Sequence, residues 1–168
     1  MILDQIETFY KNLYASEGTF SDEECDTFIR NLELPKLSDE DRDSLEGQLT
    51  YDECKKVLET LQNDKAPGED GFTVEFYKYF FEVIGNNLLA SFNEAHMKGE
   101  LCISQRRGII TLTPKDDGSL LELTNWRPTT LLNVDFKIAS KAIGKCFESM
   151  LPFLIHSDQT GFVKGRLT

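Results

Sequence analysis

The stretch GIITLTPKDDGSLLELTNWRPTTLLN, residues 108–133, decides the fold class of this chain. Its two ends, GIITLT at residues 108–113 and RPTTLLN at residues 127–133, are rich in β-branched side chains and are too short for helices. The polar segment between them, from Lys115 to Asn125, contains an Asp-Gly pair that favours a turn. These features predict two antiparallel strands joined by a loop.

Helical patterns precede this hairpin. Apolar residues recur at helical spacing over residues 2–14. Capping-box patterns, in which Ser or Thr is followed three residues later by Glu, begin at Ser21 and Thr50 and predict two more helix starts. The acidic segment 34–47 is expected to connect these two helices, with Ser38 capping a single turn.

A turn and two further helices are predicted before the first strand. The composition of KAPGEDG, residues 65–71, is typical of a turn. Thr73 is expected to cap an aromatic-rich helix that ends at Gly85. We expect another helix after this glycine, and we expect it to end at Gly99.

Helical spacing returns after the hairpin, at Asp135, and Pro152 is expected to end this last helix. Its predicted buried face consists of Ala139, Ala142, Ile143, Cys146 and Met150. A chain of 168 residues needs no second hydrophobic core. The elements together predict an α+β fold, mostly helical, with an antiparallel β-hairpin packed on helices.

The charge of the chain is unevenly distributed. Residues 1–64 hold six basic and 17 acidic side chains, which accounts for the whole net charge of −11. Residues 101–168 hold nine basic and six acidic side chains. We expect the first part to repel a polyanion and the last part to attract it weakly.

Few residues match a catalytic or metal site. His96 and His156 are the only histidines, and neither lies near a GxSxG motif or a cysteine-containing motif. Asp116 and Asp117 supply two carboxylates for a metal ion, but they lie in a hairpin-turn sequence, PKDDGS, without a third carboxylate to complete a site. We therefore expect these two aspartates to form the turn.

The cysteines and the apolar residues point to an ordinary soluble protein. The widely spaced Cys25, Cys54, Cys102 and Cys146 match no zinc-binding or disulfide pattern, and we expect buried free thiols. The chain has no run of about 18 apolar residues, and its first residues lack a signal-peptide pattern. We expect an intracellular protein, either nuclear or cytoplasmic.

Basic residues lie where a nucleic-acid-binding protein needs them. Strand ends and glycine turns allow side chains and backbone N–H groups to converge on phosphates. Side chains in such positions are Arg106, Arg107, Lys115, Arg127, Lys164 and Arg166. A lysine row on the last long helix, Lys137, Lys141 and Lys145, suits either phosphate contact or a solvated surface.

Four segments together resemble consecutive blocks of the reverse transcriptases of non-LTR, LINE-type retrotransposons. They are KAPGEDGFTVEFYKYFFEVIGNNLLASFNEA, SQRRGIITLTPK, NWRPTTLLNVDFKIASKAIGKCFESMLPFLI and HSDQTGFVKGR. The similarity covers about residues 50–166, in the family's order and spacing. FYKNLYAS, residues 9–16, resembles the segment that precedes this domain in the family.

The resemblance implies a right-hand polymerase fold. We expect an acidic helical extension over residues 1–49 and a partial reverse transcriptase domain, the fingers, over residues 50–168, without palm and thumb. By this resemblance Lys115 and Arg127 reach the triphosphate of the incoming nucleotide. A loop along the template backbone contains Gln159, Gly161, Phe162, Gly165 and Arg166, and we expect Arg106, Arg107 and Lys164 to add nucleic-acid contacts.

The resemblance also implies what the full-length enzyme uses. The family carries the aspartates that bind two Mg²⁺ ions on palm strands after the HSDQTGFVKGR block, so we expect no catalytic residue, metal site or cofactor in this fragment. The implied partners of the full-length enzyme are an RNA template, an RNA·DNA primer duplex and deoxynucleoside triphosphates. For the fragment itself we expect self-association through exposed apolar surface and no membrane partner.

Departures from the family pattern leave room for alternatives. Glu69 stands where the family commonly has Pro, Thr113 replaces the usual Ile, and Thr129 with Thr130 replaces Ile-Ser. One alternative is a non-enzymatic helical interaction module, derived from a mobile element, whose acidic residues 1–64 bind a basic partner. A more distant one is an intact Mg²⁺ enzyme that uses Asp116, Asp117 or other acids.

Overall fold

A computed structural model of the chain describes residues 2–15, 18, 20–33, 35–115, 119–161, 163, 165 and 166. This described part forms eight α-helices, one 3-10 turn at Leu123–Asn125 and a two-stranded antiparallel sheet, which confirms the predicted α+β class. The helices are α1 Ile2–Leu13, α2 Asp22–Arg30, α3 Asp39–Leu45, α4 Tyr51–Thr60, α5 Val74–Lys98, α6 Ile103–Arg106, α7 Val134–Phe147 and α8 Leu151–Leu154. The strands are β1 Gly108–Pro114 and β2 Trp126–Leu132.

The predicted helix caps are confirmed. The side chains of Ser21, Ser38, Thr50 and Thr73 each accept a hydrogen bond from the backbone N–H three residues later. The boxes that start at Ser21 and Thr50 are complete, because Glu24 and Glu53 each accept the backbone N–H of the cap residue at 2.8 Å. Each closed box satisfies two N–H groups that the helix leaves without partners.

The hydrophobic core lies among α4, α5 and α7. Its buried side chains are Cys54, Val57 and Leu58 from α4, Val74, Tyr77, Phe81 and Phe92 from α5, and Val134, Ile138, Ala139 and Ala142 from α7. By contrast, α1, α2 and α3 have no buried residue. The three core helices therefore form the scaffold that positions the hairpin base.

The prediction that a helix ends at Gly85 is wrong, because α5 runs unbroken through this residue to Lys98 and ends at Gly99. Gly99 adopts the left-handed conformation, with φ 67°, that commonly closes a helix. Gly85 is buried instead, and a Cβ atom added to it would lie 2.7 Å from Cε2 of Tyr51. Its lack of a side chain allows α4 to approach α5 closely.

The predicted buried face of α7 is partly wrong. Ala139 and Ala142 are buried as expected, but Ile143 is 45% exposed and Ile138 is fully buried. Helix α7 packs against both α4 and α5, and its buried face therefore includes Val134 and Ile138 in place of Ile143.

Pro152 starts a helix and does not end one. The long helix α7 ends at Phe147, and Pro152 lies in the first turn of α8. N–H groups in the first turn of a helix have no intrahelical acceptor, so the absence of an N–H in proline removes no hydrogen bond at that position.

The chain divides into two compact units. One contains Met1–Leu34 with Leu112–Thr129, and thus α1, α2 and the loop end of the hairpin. The other contains Pro35–Thr111 with Thr130–Thr168, and thus α3 to α8 and the base of the hairpin. The predicted division between residues 49 and 50 stays a prediction.

The four cysteines are free thiols, and they differ in exposure. Cys54 is buried and Cys146 is half-buried, but Cys25 and Cys102 are exposed, which corrects the expectation of four buried thiols. Burial raises the pKa of the Cys54 thiol to about 11, with a smaller effect from Glu53. Among the described helices, none combines the length and the apolar character needed to cross a membrane.

Candidate functional site

The register of the hairpin places several side chains on one face. The backbone N–H of Lys115 donates to the carbonyl oxygen of Asn125 at 2.8 Å, so these two residues are paired across the strands. The hydroxyl of Thr113 donates to the carbonyl oxygen of Arg127 at 3.3 Å and lies 3.5 Å from the hydroxyl of Thr129. Because side chains alternate between the faces of a strand, odd-numbered residues share one face here.

Lys115, the residue directly after β1, and Arg127 in β2 therefore lie on the same face, at diagonal positions of the hairpin. Diagonal neighbours in an antiparallel pair lie about 7–8 Å apart, which is within reach of long side chains. The ammonium of Lys115 donates to the carbonyl oxygen of Thr124 at 2.7 Å. The exposed guanidinium of Arg127 has no hydrogen-bond or ion-pair partner among the residues that the structure describes. The predicted nucleotide contacts of both side chains stay predictions.

A buried side chain that the sequence analysis missed, Asn133, joins the hairpin base to the rest of the second unit. It directly follows β2 and is 2% exposed. Its amide oxygen accepts the backbone N–H of Asp70 at 3.3 Å, and its amide nitrogen donates to the carbonyl oxygen of Ser104 at 3.0 Å. A Cβ atom on Gly68 would lie only 2.4 Å from the backbone nitrogen of Asn133. The turn at residues 65–71 is thus packed directly on the residue that ends the hairpin.

Two further missed residues are Gln105 and Tyr77, both buried near the start of α7. Gln105 is 3% exposed and its amide nitrogen donates to a carboxylate oxygen of Asp135 at 3.1 Å. Burial raises the pKa of Tyr77 far above its ordinary value, and the charges of Asp135 and Asp70 add to this effect. A polar residue in an otherwise apolar stretch, such as Asn133 after Leu131 and Leu132, is the signal that could have identified this group.

The two arginines before β1 are engaged by acidic side chains. Arg106 forms an ion pair with Glu100 at 2.7 Å, and Arg107 lies 3.6 Å from Glu69. Glu69 is one of the residues that depart from the pattern of the resembled family, and here it partly neutralises an arginine expected to contact nucleic acid. Such exposed pairs contribute little to stability and can be displaced by a phosphate.

Arg166 organises the loop that follows α8. Its guanidinium donates to four backbone carbonyl oxygens, those of Pro152 at 3.0 Å, Ile155 at 2.8 Å, His156 at 2.5 Å and Gln159 at 2.9 Å. Two of these carbonyls belong to the C-terminal end of α8, where intrahelical partners are lacking. Four donated bonds leave Arg166 little capacity for a template phosphate and give it a role in holding the loop.

The other predicted template residues in the described part lie in the same loop. The side-chain amide of Gln159 donates to the carbonyl oxygen of Gly161 at 3.0 Å. Gly165 is exposed and adopts a positive φ of 82°, which favours glycine. Phe162 and Lys164 lie outside the described residues. Template contact by this loop stays a prediction.

The lysine row on α7 is only partly neutralised. Lys145 forms an ion pair with Glu148 at 2.5 Å, whereas Lys137 and Lys141 have no acidic partner among the described residues. Trp126 is engaged within the hairpin loop, since its indole N–H donates to the carbonyl oxygen of Leu120 at 3.2 Å.

No group of three or more metal-ligating side chains of the His, Cys, Asp and Glu types occurs within the described ranges. Asp116 and Asp117, the two aspartates expected to form the turn, lie outside those ranges.

Comparison with known proteins gives one informative similarity. No protein-family profile matches the chain. Over 165 residues the chain is 38% identical to the transposon TX1 uncharacterized 149 kDa protein of Xenopus laevis. The alignment covers 98% of this chain but only 12% of that protein's length. The similarity supports an origin of the chain in a mobile element.

Proposed function

We propose that this chain is the fingers portion of a retrotransposon reverse transcriptase of the LINE type. The observation that carries this proposal is the hairpin register, which places Lys115 and Arg127 on one exposed face. The order of the four sequence blocks and the similarity to a transposon protein support it. Since the chain spans only 12% of that relative, the activity is proposed for a longer protein.

In this proposal the hairpin face receives the triphosphate of the incoming nucleotide. The ammonium of Lys115 has three donors and uses one on Thr124, which fixes the charge at the loop end of the hairpin. None of the residues that the structure describes occupies the five donors of the Arg127 guanidinium, and its fork geometry suits two phosphate oxygens at once. The ammonium of Lys115 and the guanidinium of Arg127 together would bind the triphosphate in one defined orientation.

The loop after α8 is proposed to follow the template backbone. Arg166 donates to the carbonyl oxygens of Pro152, Ile155, His156 and Gln159, so the backbone at these residues is held before a nucleic acid arrives. Gly165 lacks a side chain at an exposed position, which permits a phosphate to approach its N–H closely. We assign no catalytic residue to this chain, and the Mg²⁺-dependent chemistry is proposed for other parts of the polymerase.

Binding of an RNA·DNA primer-template tests the proposal. We expect the chain to bind this duplex with an affinity that falls as the salt concentration rises, because phosphate contacts release counterions. Deoxynucleoside triphosphate binding is measured separately, and Lys115→Ala and Arg127→Ala should each weaken it about ten-fold or more. Lys36→Ala, which removes an exposed lysine remote in sequence from these blocks, is the matched control. Absence of both binding activities would refute the proposal.

A second candidate function rests on the exposed apolar residues of α1 and α2. Ile2, Leu3, Leu13, Phe28 and Ile29 are all more than half exposed. They lie within the acidic first 64 residues, so a partner that covers them is expected to be basic. Tight, salt-sensitive binding of a basic amphipathic peptide, together with no binding of RNA·DNA, would favour this interaction module.

A further inference from the structure

The face that carries Lys115 and Arg127 also carries two hydroxyl groups. Thr113 and Thr129 lie on it with their hydroxyl oxygens 3.5 Å apart, and both residues are exposed. Thr113 donates its hydrogen to the carbonyl oxygen of Arg127, so its donor is already in use. The hydrogen of Thr129 can instead turn outward, since Thr113 offers it only a long contact.

The position of Thr129 is what makes this hydroxyl useful. It lies two residues from Arg127 along β2, which is about 6.6 Å, and both side chains point to the same side of the sheet. Lys115 lies two residues from Thr113, directly after the neighbouring strand and opposite Asn125. In this register Thr113 lies opposite Arg127, so Lys115, Arg127 and Thr129 follow one another along the face. A small neutral donor beside Arg127 can bind a further phosphate oxygen without adding to the repulsion between the two cations.

We propose that Thr129 is a third phosphate-binding group of this face, with Thr113 holding it and Arg127 in position. The ligand is a free triphosphate, as in a deoxynucleoside triphosphate. This inference rests on the proposed function, because it uses the same face, and it adds a neutral donor to the two charges.

The test compares four single variants of the full 168-residue chain. Thr129→Val keeps the branched shape and removes the hydroxyl, and Thr129→Ser keeps the hydroxyl. Thr130→Val removes a hydroxyl from the opposite face of the same strand, where the Thr130 methyl lies close to Gly108. Lys115→Ala removes a charge. Affinities for a deoxynucleoside triphosphate, for inorganic triphosphate and for an oligonucleotide are measured at two salt concentrations.

We expect Thr129→Val to weaken binding of both triphosphates about five-fold, while Thr129→Ser and Thr130→Val stay close to the unmodified chain. Loss of a neutral donor should leave the salt dependence unchanged, whereas Lys115→Ala should reduce it. Urea unfolding of each variant separates a loss of binding from a loss of hairpin stability.

The outcomes distinguish this inference from the proposed function. If Lys115→Ala weakens binding and Thr129→Val does not, the role of Thr129 is refuted and the proposed function stands. If Thr130→Val is as damaging as Thr129→Val, or if only oligonucleotide binding changes, the inference is also refuted. If the chain binds neither triphosphate, the nucleotide-binding part of the proposed function fails together with the inference.

Discussion

At the scale of single residues, Asn133 shows how one buried amide can join separate segments. It bonds to the turn through Asp70 and to α6 through Ser104, and it packs against Gly68. A buried amide without partners would cost free energy, so these bonds make its position specific. The end of the hairpin is thereby fixed to the second unit by polar contacts as well as by the apolar core.

Gly68→Ala should destabilise the chain strongly. The added Cβ would lie 2.0 Å from the side-chain oxygen of Asn133 and 2.4 Å from its backbone nitrogen, and the backbone cannot move away cheaply. We expect a loss of about 3 kcal/mol in the free energy of unfolding, measured in urea.

Gly144→Ala is the matched control for this substitution. Gly144 lies within α7, and a Cβ there would meet no atom within 4 Å. Alanine is the better helix former, so this variant should gain about 0.5–1 kcal/mol. Equal effects of the two substitutions would contradict the packing seen at Gly68.

The buried thiol of Cys54 predicts a pH dependence of stability. Burial raises its pKa to about 11 in the folded chain, above the value of an exposed thiol. The unfolded chain loses this proton near pH 9, before the folded chain does. The contribution of the protonated thiol to the stability of the fold is therefore fully present below about pH 9 and is lost as the pH rises through 11. We expect about 2 kcal/mol of stability to disappear over this range in the unmodified chain and not in Cys54→Ala. Urea unfolding at pH 8, 9.5 and 11 measures the difference, and parallel curves for the two proteins would contradict it.

At the scale of elements, α5 shows where prediction from sequence succeeded and where it failed. Thr73 and Gly99 were identified correctly as its two ends, because cap residues act locally. Gly85 was misread as a helix end, because its role depends on Tyr51 of another helix. The buried face of α7 was predicted only in part for the same reason, because contacts with two other helices, α4 and α5, determine which of its residues are buried.

In the candidate site, too, some features could be predicted from the sequence and others could not. The hairpin was predictable from β-branched runs and a turn, whereas the assignment of Lys115 and Arg127 to nucleotide binding depends on the family resemblance. The four carbonyl contacts of Arg166 were not predictable, because backbone oxygens carry no sequence signal. The ion pairs of Arg106 and Arg107 depend on chain segments that meet only after folding.

A double-mutant cycle tests the close approach of α4 and α5. Gly85→Ala should destabilise the chain by about 1–2 kcal/mol, because the clash with the Tyr51 ring outweighs the gain in helix propensity. In a Tyr51→Ala background only the tight contact with the Phe81 ring, at 3.1 Å, remains, and the same change should cost at least about 1 kcal/mol less. Urea unfolding of the four proteins gives the coupling energy, and equal effects of Gly85→Ala in the two backgrounds would contradict the contact between Gly85 and Tyr51.

At the scale of the whole molecule, acidic side chains neutralise many of the basic ones. Ion pairs engage Lys11, Arg30, Arg42, Lys55, Lys98, Arg106, Arg107 and Lys145. Lys137, Lys141 and Arg127 have no such partner in the described part of the chain. Lys36, Lys56, Lys65 and Lys78 form no ion pair with a described residue either, so the unpaired cations occur both before and after residue 100.

Exposed apolar residues on α5 predict self-association with a characteristic salt dependence. Tyr79 is 80% exposed and Val83, one turn later, is 76% exposed. Since each copy carries a net charge of −11, salt should screen the repulsion between copies and strengthen their association. Tyr79→Ser combined with Val83→Ser should weaken it, as measured by sedimentation equilibrium at low and high salt. A mass that stays monomeric at all concentrations would contradict this prediction.

The arrangement of the core has a consequence for the newly made chain on the ribosome. Helices α4 and α5 are complete once residue 98 has been added, but their third partner, α7, begins only at residue 134. Until Ile138 has left the exit tunnel, α7 cannot pack against the apolar faces of α4 and α5, and these faces stay exposed. Synthesis at about 5–20 residues per second makes this interval a few seconds long. A chaperone that binds nascent chains would therefore find its main target in α4 and α5 during that time.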